Sequence, residues 1–165
     1  MNPFKWLPLY GEEMIKRYRN QRHGTQPPHC FAESEDALQE LVHKHKNQAI
    51  VICGESGAGK TETTKLMLHY LAVVAKSGKA SRRGSGNVGS ARGMSDGGEA
   101  TIAERMVASN PLLEALGNAK TLRNDNSSRF GKWIELRFER GLLCGAAVST
   151  YLLERVRLVT LARGE

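Results

Sequence analysis

No run of this 165-residue chain approaches the ~20 consecutive apolar residues that cross a bilayer. No transmembrane segment is therefore expected. The opening Met1-Asn2-Pro3-Phe4-Lys5-Trp6 also lacks the apolar core of a secretory signal. Cysteine is scarce: Cys30, Cys53 and Cys144 are odd in number and form no C-x-x-C pair. That excludes a disulfide framework and a zinc ribbon, and it implies reduced thiols in a cytosolic protein. His43 and His45 stand two apart on a helical stretch, so they face different ways and make no metal pair. Aromatics are only 6% of the chain, and none interleaves with a basic patch. The formal charge of +7 is scattered, so no specific nucleic-acid partner is indicated.

What is present is ordinary globular material with one exceptional loop. Hydrophobic residues at 40% and charged residues at 25% suit a single domain with a real core. The apolar run Ala49-Ile50-Val51-Ile52-Cys53 is followed by Gly54-Glu55-Ser56-Gly57-Ala58-Gly59-Lys60-Thr61 and then a helical pattern. This is G-x-x-x-x-G-K-[ST] between a strand and a helix, the spelling of a loop that holds a nucleoside triphosphate. Glycines let the backbone N–H groups turn inward around a polyphosphate, and the helix dipole points at the same anion. Lys60 can reach the β/γ oxygens, and the Thr61 hydroxyl is placed to ligate Mg²⁺.

Around that loop the pattern alternates helix and strand. Gly11 to Arg22 reads as a short helix, with Met14, Ile15 and Tyr18 at helical spacing. After Pro27-Pro28, Ser34 is the expected N-cap of a helix carrying Leu38, Leu41 and Val42. Gln48 to Cys53 is expected as a buried strand. The helix after Lys60 presents Leu66, Met67, Tyr70, Leu71 and Val74 for packing. Ser77 to Ala100 holds seven Gly and five Ser in 24 residues, and is expected as a disordered surface loop. Thr101-x-x-Glu104 reads as a capping box, and Pro111 restarts or kinks the helix it opens. Ile134, Leu136 and Phe138 alternate with Glu135 and Arg137. Glu139-Arg140-Gly141 then turns the chain into a return strand, Leu142 to Leu153, so a β-hairpin is expected.

Taken alone, Asn124 to Arg129 is a polar turn. Beside a phosphate loop it reads differently, because Asn124, Ser127, Ser128 and Arg129 supply the amide, hydroxyls and cation that a γ-phosphate-sensing segment needs. Four blocks together resemble the myosin motor domain. They are Asn2-Pro3-Phe4-Lys5-Trp6-Leu7-Pro8-Leu9-Tyr10, the phosphate loop through Glu62, the stretch Asn110-Pro111 to Lys132, and Tyr151-Leu152-Leu153-Glu154 with Arg157. Kinesins share a phosphate loop and N-x-x-S-S-R. The run Asn110-Pro111-Leu112-Leu113-Glu114-Ala115-Leu116-Gly117-Asn118-Ala119-Lys120-Thr121 and the Phe130-Gly131-Lys132 after Arg129 favour myosin.

The resemblance implies an α/β fold of the P-loop NTPase type, with a mixed central sheet flanked by helices, over residues 1–165. Segments 1–10, 54–61, 77–100 and 124–129 would be its adenine border, phosphate loop, flexible loop and switch I. It implies ATP and Mg²⁺ as ligands. Asn2, Pro3, Phe4, Lys5 and Tyr10 would border the adenine; Gly54 to Gly59, Lys60, Thr61, Glu62 and Asn124 would surround the phosphates. Thr61 and Ser128 would ligate Mg²⁺, Ser127 would position the attacking water, and Arg129 would close the site by pairing with a switch II glutamate.

It also implies actin filaments as partner, ATP hydrolysis coupled to movement along them, and a cytoplasmic, cytoskeleton-associated location. Cys53, Thr63, Leu116 and Val156 depart from the family's usual residues without removing a phosphate or Mg²⁺ contact. Asp36, Asp96 and Asp125 are the only aspartates, and none ends an apolar strand. The D-x-x-G-F-E segment of switch II is thus missing from the chain, and with it the expected partner of Arg129. The chain therefore reads as a fragment whose own turnover is negligible. The alternative is a truncated ATP-binding module that is not a motor.

Overall fold

The computed structural model describes residue 5 and residues 7–81 and 102–156. Among the described residues four helices and four strands follow in the order α1 (Glu12–Tyr18), α2 (Cys30–Lys44), α3 (Lys60–Ser81), α4 (Ile102–Gly117), β1 (Asn118–Thr121), β2 (Asn124–Ser128), β3 (Gly131–Glu139) and β4 (Leu142–Tyr151).

The core is where the apolar stripes of the first three helices meet. Ile15 and Tyr18 of α1, Phe31 and Leu38 of α2, and Tyr70, Leu71 and Val74 of α3 form one buried cluster, with Leu136 and Phe138 of β3 against it. Phe31 and Tyr70 stack with ring centroids 4.8 Å apart. At roughly 1.5–3 kcal/mol for each large side chain removed from water, this cluster is the main force seating α3. The seating fixes the loop at the N-terminus of α3.

Helix boundaries differ from the sequence expectation for identifiable reasons. Helix α1 stops at Tyr18 rather than Arg22, because Arg19 is extended and the Asn20 N–H donates to Glu35 Oε1 at 2.8 Å. The cap of α2 is His29, not Ser34: His29 Nδ1 accepts from the Phe31 N–H at 3.0 Å. Ser34 lies inside the helix, fully buried, with its hydroxyl donating to the Cys30 carbonyl one turn back. The Gly/Ser-rich stretch begins helical, since α3 continues through Ser81. The remainder of the expected flexible loop, and Thr101 of the capping box, lie outside the described residues. Helix α4 runs across Pro111 without ending there.

The expected hairpin is present: β3 and β4 pair antiparallel from Gly131↔Tyr151 to Glu139↔Leu142. Arg140 and Gly141 both have positive φ, 51° and 78°, the two-residue turn whose twist matches a hairpin. A bulge follows, where Cys144 is the extra residue and its thiol donates to the Arg137 carbonyl at 3.1 Å.

Two strand expectations are corrected. The described strands form two separate antiparallel pairs, β1–β2 and β3–β4, rather than one mixed sheet. Residues 48–53 are neither a strand nor buried: Val51 is 80% exposed. A strand exists only by pairing, and among the described residues nothing pairs with this segment, so Ile50 and Val51 stay exposed.

Candidate functional site

The glycine-rich loop between residue 53 and α3 takes the backbone that its spelling requires. Gly57 and Gly59 have φ of 81° and 92°, a region L side chains avoid. The Ala58 N–H is spent within the loop, on the Glu55 carbonyl at 3.2 Å. Along α3 the first backbone bond is Thr63 N–H to the Gly59 carbonyl at 2.9 Å, so the amides of the first turn lie ahead of the helix ladder. Lys60 folds back over the loop, its Nζ donating to the carbonyls of Gly54 at 2.7 Å and Glu55 at 2.9 Å. The ammonium and the helix N-terminus thus both lie at the loop, an arrangement that suits a polyanion.

The second wall is the β1–β2 hairpin. Its strands pair Asn118↔Ser128, Ala119↔Ser127 and Thr121↔Asn124, so the expected polar turn at 124–129 is mostly a strand. Alternation along β2 turns Ser127 inward, where it is 5% exposed, and sets Ser128 on the opposite side. Ser127 Oγ lies 2.8 Å from Ser56 Oγ, joining hairpin and loop across 71 residues of sequence. Thr121 Oγ1 lies 3.3 Å from the same Ser56 hydroxyl. Outside this contact the Glu55 carboxylate pairs with the Arg123 guanidinium.

Arg129 closes the far end. Its Nη1 donates to Ser127 Oγ at 3.3 Å and its Nε to Glu154 Oε2 at 2.8 Å, while the Glu154 N–H donates to the Arg129 carbonyl at 2.9 Å. The sequence leaves Arg129 without a partner in this chain; the structure supplies Glu154, 25 residues on.

The other expected site residues are less gathered. Asn124 holds the hairpin turn, its Oδ1 accepting from the Asn126 N–H at 3.0 Å. Glu62 pairs with Lys65 at 2.7 Å on the outer face of α3. Thr61 and Ser128 are half-buried residues, and no hydrogen bond joins their hydroxyls. Lys5 is exposed, and Asn2, Pro3 and Phe4 lie outside the described residues. Tyr10 sits in an aromatic group with His29 and Phe31, at centroid distances of 5.4 and 6.2 Å.

Myosin head (motor domain) is the family that the sequence matches, over residues 1–165. The chain is also 47% identical over 174 residues to the myosin-J heavy chain of Dictyostelium discoideum. This chain belongs to the myosin head family. The alignment takes in 96% of the chain but only 8% of that relative's length. Thr121, Arg123 and Glu154 are the residues of this myosin segment whose contacts sequence reasoning missed. All three do stand within the family-like blocks, which was the available signal. Among the described residues no helix is long and apolar enough to cross a membrane, and no group of three or more His, Cys, Asp or Glu could hold a metal ion.

Proposed function

We propose that residues 54–62 and 124–129 form the Mg·ATP site of a P-loop NTPase, the nucleotide-binding part of an actin-based motor. The observation that carries this reading is the contact between Ser56 and Ser127, which seats a hydroxyl-rich strand directly on the glycine-rich loop. A glycine-rich loop, a lysine and a helix N-terminus on one side, with amide, hydroxyl and guanidinium on the other, is the set that phosphoryl transfer requires.

The donor chemistry fits the ligand. Mg²⁺ favours hard oxygen ligands and keeps only one or two from protein, the rest coming from phosphate and water. Thr61 and Ser128 offer such oxygens, and when bound the ion would neutralise phosphate charge. Lys60 would exchange its two loop carbonyls for phosphate oxygens. Ser127 would orient the attacking water, and Asn124 would contact the phosphates. Arg129, held by Glu154, would keep the Ser127 oxygen in place. Tyr10 with Asn2, Pro3, Phe4 and Lys5 would border the adenine. Glu55 is kept from repelling the nucleotide by its pairing with Arg123.

In the whole motor, nucleotide state would reposition the β2 segment and so couple hydrolysis to actin affinity, in a cytoskeleton-associated setting. Family membership supports that part of the proposal. The test is calorimetric titration of the chain with Mg·ATP. The native chain should bind, and Lys60→Ala should lose about ten- to a hundredfold in affinity, the worth of charge-assisted hydrogen bonds. Equal binding by both would overturn the assignment.

A further inference from the structure

The hydroxyls between the loop and the hairpin have only one consistent direction of donation. Thr121 Oγ1 lies 3.1 Å from the Asn124 carbonyl, which can only accept, so the single Thr121 proton is committed there. Thr121 Oγ1 must then accept from its other neighbours, the Asn124 N–H at 3.1 Å and the Ser56 hydroxyl at 3.3 Å. The Ser56 proton being used on Thr121, Ser56 Oγ accepts from Ser127 at 2.8 Å. Ser127 in turn accepts from Arg129, which can only donate. The chain runs Arg129 to Ser127 to Ser56 to Thr121 to the Asn124 carbonyl, and every hydroxyl in it both donates and accepts.

Thr121 is the residue that sets this direction. Its hydroxyl fixes the rotor of the loop serine and, through it, that of Ser127. The same turn meets the loop twice more. Arg123 pairs with Glu55, and a Cβ placed on Gly57 would lie 3.5 Å from the Arg123 carbonyl. We infer that Thr121 is a positioning residue of the nucleotide site, its hydroxyl seating the phosphate loop on the β1–β2 turn with the Ser56 and Ser127 hydroxyls held in a fixed sense. This inference rests on the nucleotide-site reading above.

The consequence is specific to the hydroxyl. Thr121→Val keeps the shape, removes the proton for Asn124 and the acceptor for Ser56, and frees both serine rotors. Thr121→Ser keeps the hydroxyl and removes only the methyl. Titration with Mg·ATP, with a thermal melt of each variant, is the experiment. Affinity should fall about five- to tenfold in Thr121→Val and stay within about twofold of native in Thr121→Ser, as expected for one net hydrogen bond.

If Thr121→Val melts early, Thr121→Ala against Thr121→Ser isolates the hydroxyl, and Ser should bind about five- to tenfold more tightly. Native affinity in a folded Thr121→Val, equal affinity of the Ala and Ser variants, or loss of fold in Thr121→Ser would each overturn the inference and leave the nucleotide site standing. Failure of the native chain to bind Mg·ATP would overturn both.

Discussion

A carboxylate as deeply buried as Glu35, 1% exposed, must have its lone pairs answered. Oε1 accepts from the Asn20 N–H at 2.8 Å and from Gln39 Nε2 at 2.6 Å, and Oε2 accepts from the Tyr70 hydroxyl at 2.7 Å. These bonds tie α1, α2 and α3 together behind the candidate site. Burial, and then the hydrogen bond and charge of Glu35, hold the Tyr70 phenol well above its ordinary 10.0. The folded chain keeps this proton more tightly than the unfolded chain. Its stabilisation is therefore complete below pH 10.0 and is lost as pH rises toward the folded value. Two outcomes follow for denaturant melts. Tyr70→Phe should cost about 1–3 kcal/mol near neutral pH, because it leaves Oε2 without its donor. The same variant should be less sensitive to alkali above pH 10.0 than the native chain.

His29 caps α2 through Nδ1, so its proton belongs on Nε2, which lies 3.1 Å from the Leu9 carbonyl. It stacks on Tyr18 at 4.8 Å and meets Phe31 at 4.6 Å. Burial lowers its pKa below 6.5. A depressed base stabilises the fold above pH 6.5 and loses that contribution as pH falls through the folded value. Melting temperature should therefore drop between pH 7.5 and 5, and His29→Gln should flatten that dependence.

At the α4–β1 joint, a Cβ on Gly117 would collide with the Phe130 ring, while the Gly117 carbonyl accepts the Arg129 N–H at 2.8 Å. Gly117→Ala should cost about 1–3 kcal/mol in chemical unfolding by overpacking. It should also disturb Arg129, whereas Gly11→Ala, where a Cβ meets open space, should not.

Element type was legible wherever one periodicity governed a long segment, as in α3 and the β3–β4 hairpin. Element ends were not, because tertiary partners set them: Glu35 takes the Asn20 N–H and ends α1, and stacking makes His29 rather than Ser34 the cap. The loop and Ser127 were legible through motif chemistry. Thr121 and the Arg129–Glu154 pair were not, since a hydroxyl or a carboxylate acquires its role only from what the fold sets beside it.

Across the whole molecule, apolar side chains left in water stand out. Leu112 and Leu116, one turn apart on α4, are 66% and 70% exposed, and Leu152 is 85% exposed. Together with Val51 they leave more than scattered single contacts uncovered. The chain alone should self-associate in sedimentation velocity at micromolar concentration, and a clean monomer would count against that expectation.

The central claim is that two segments far apart in sequence make one nucleotide site. Amide hydrogen exchange with and without Mg·ATP tests it directly. The account predicts that nucleotide slows exchange in both 54–61 and 124–129. Protection of neither segment, or of 54–61 alone, would contradict it.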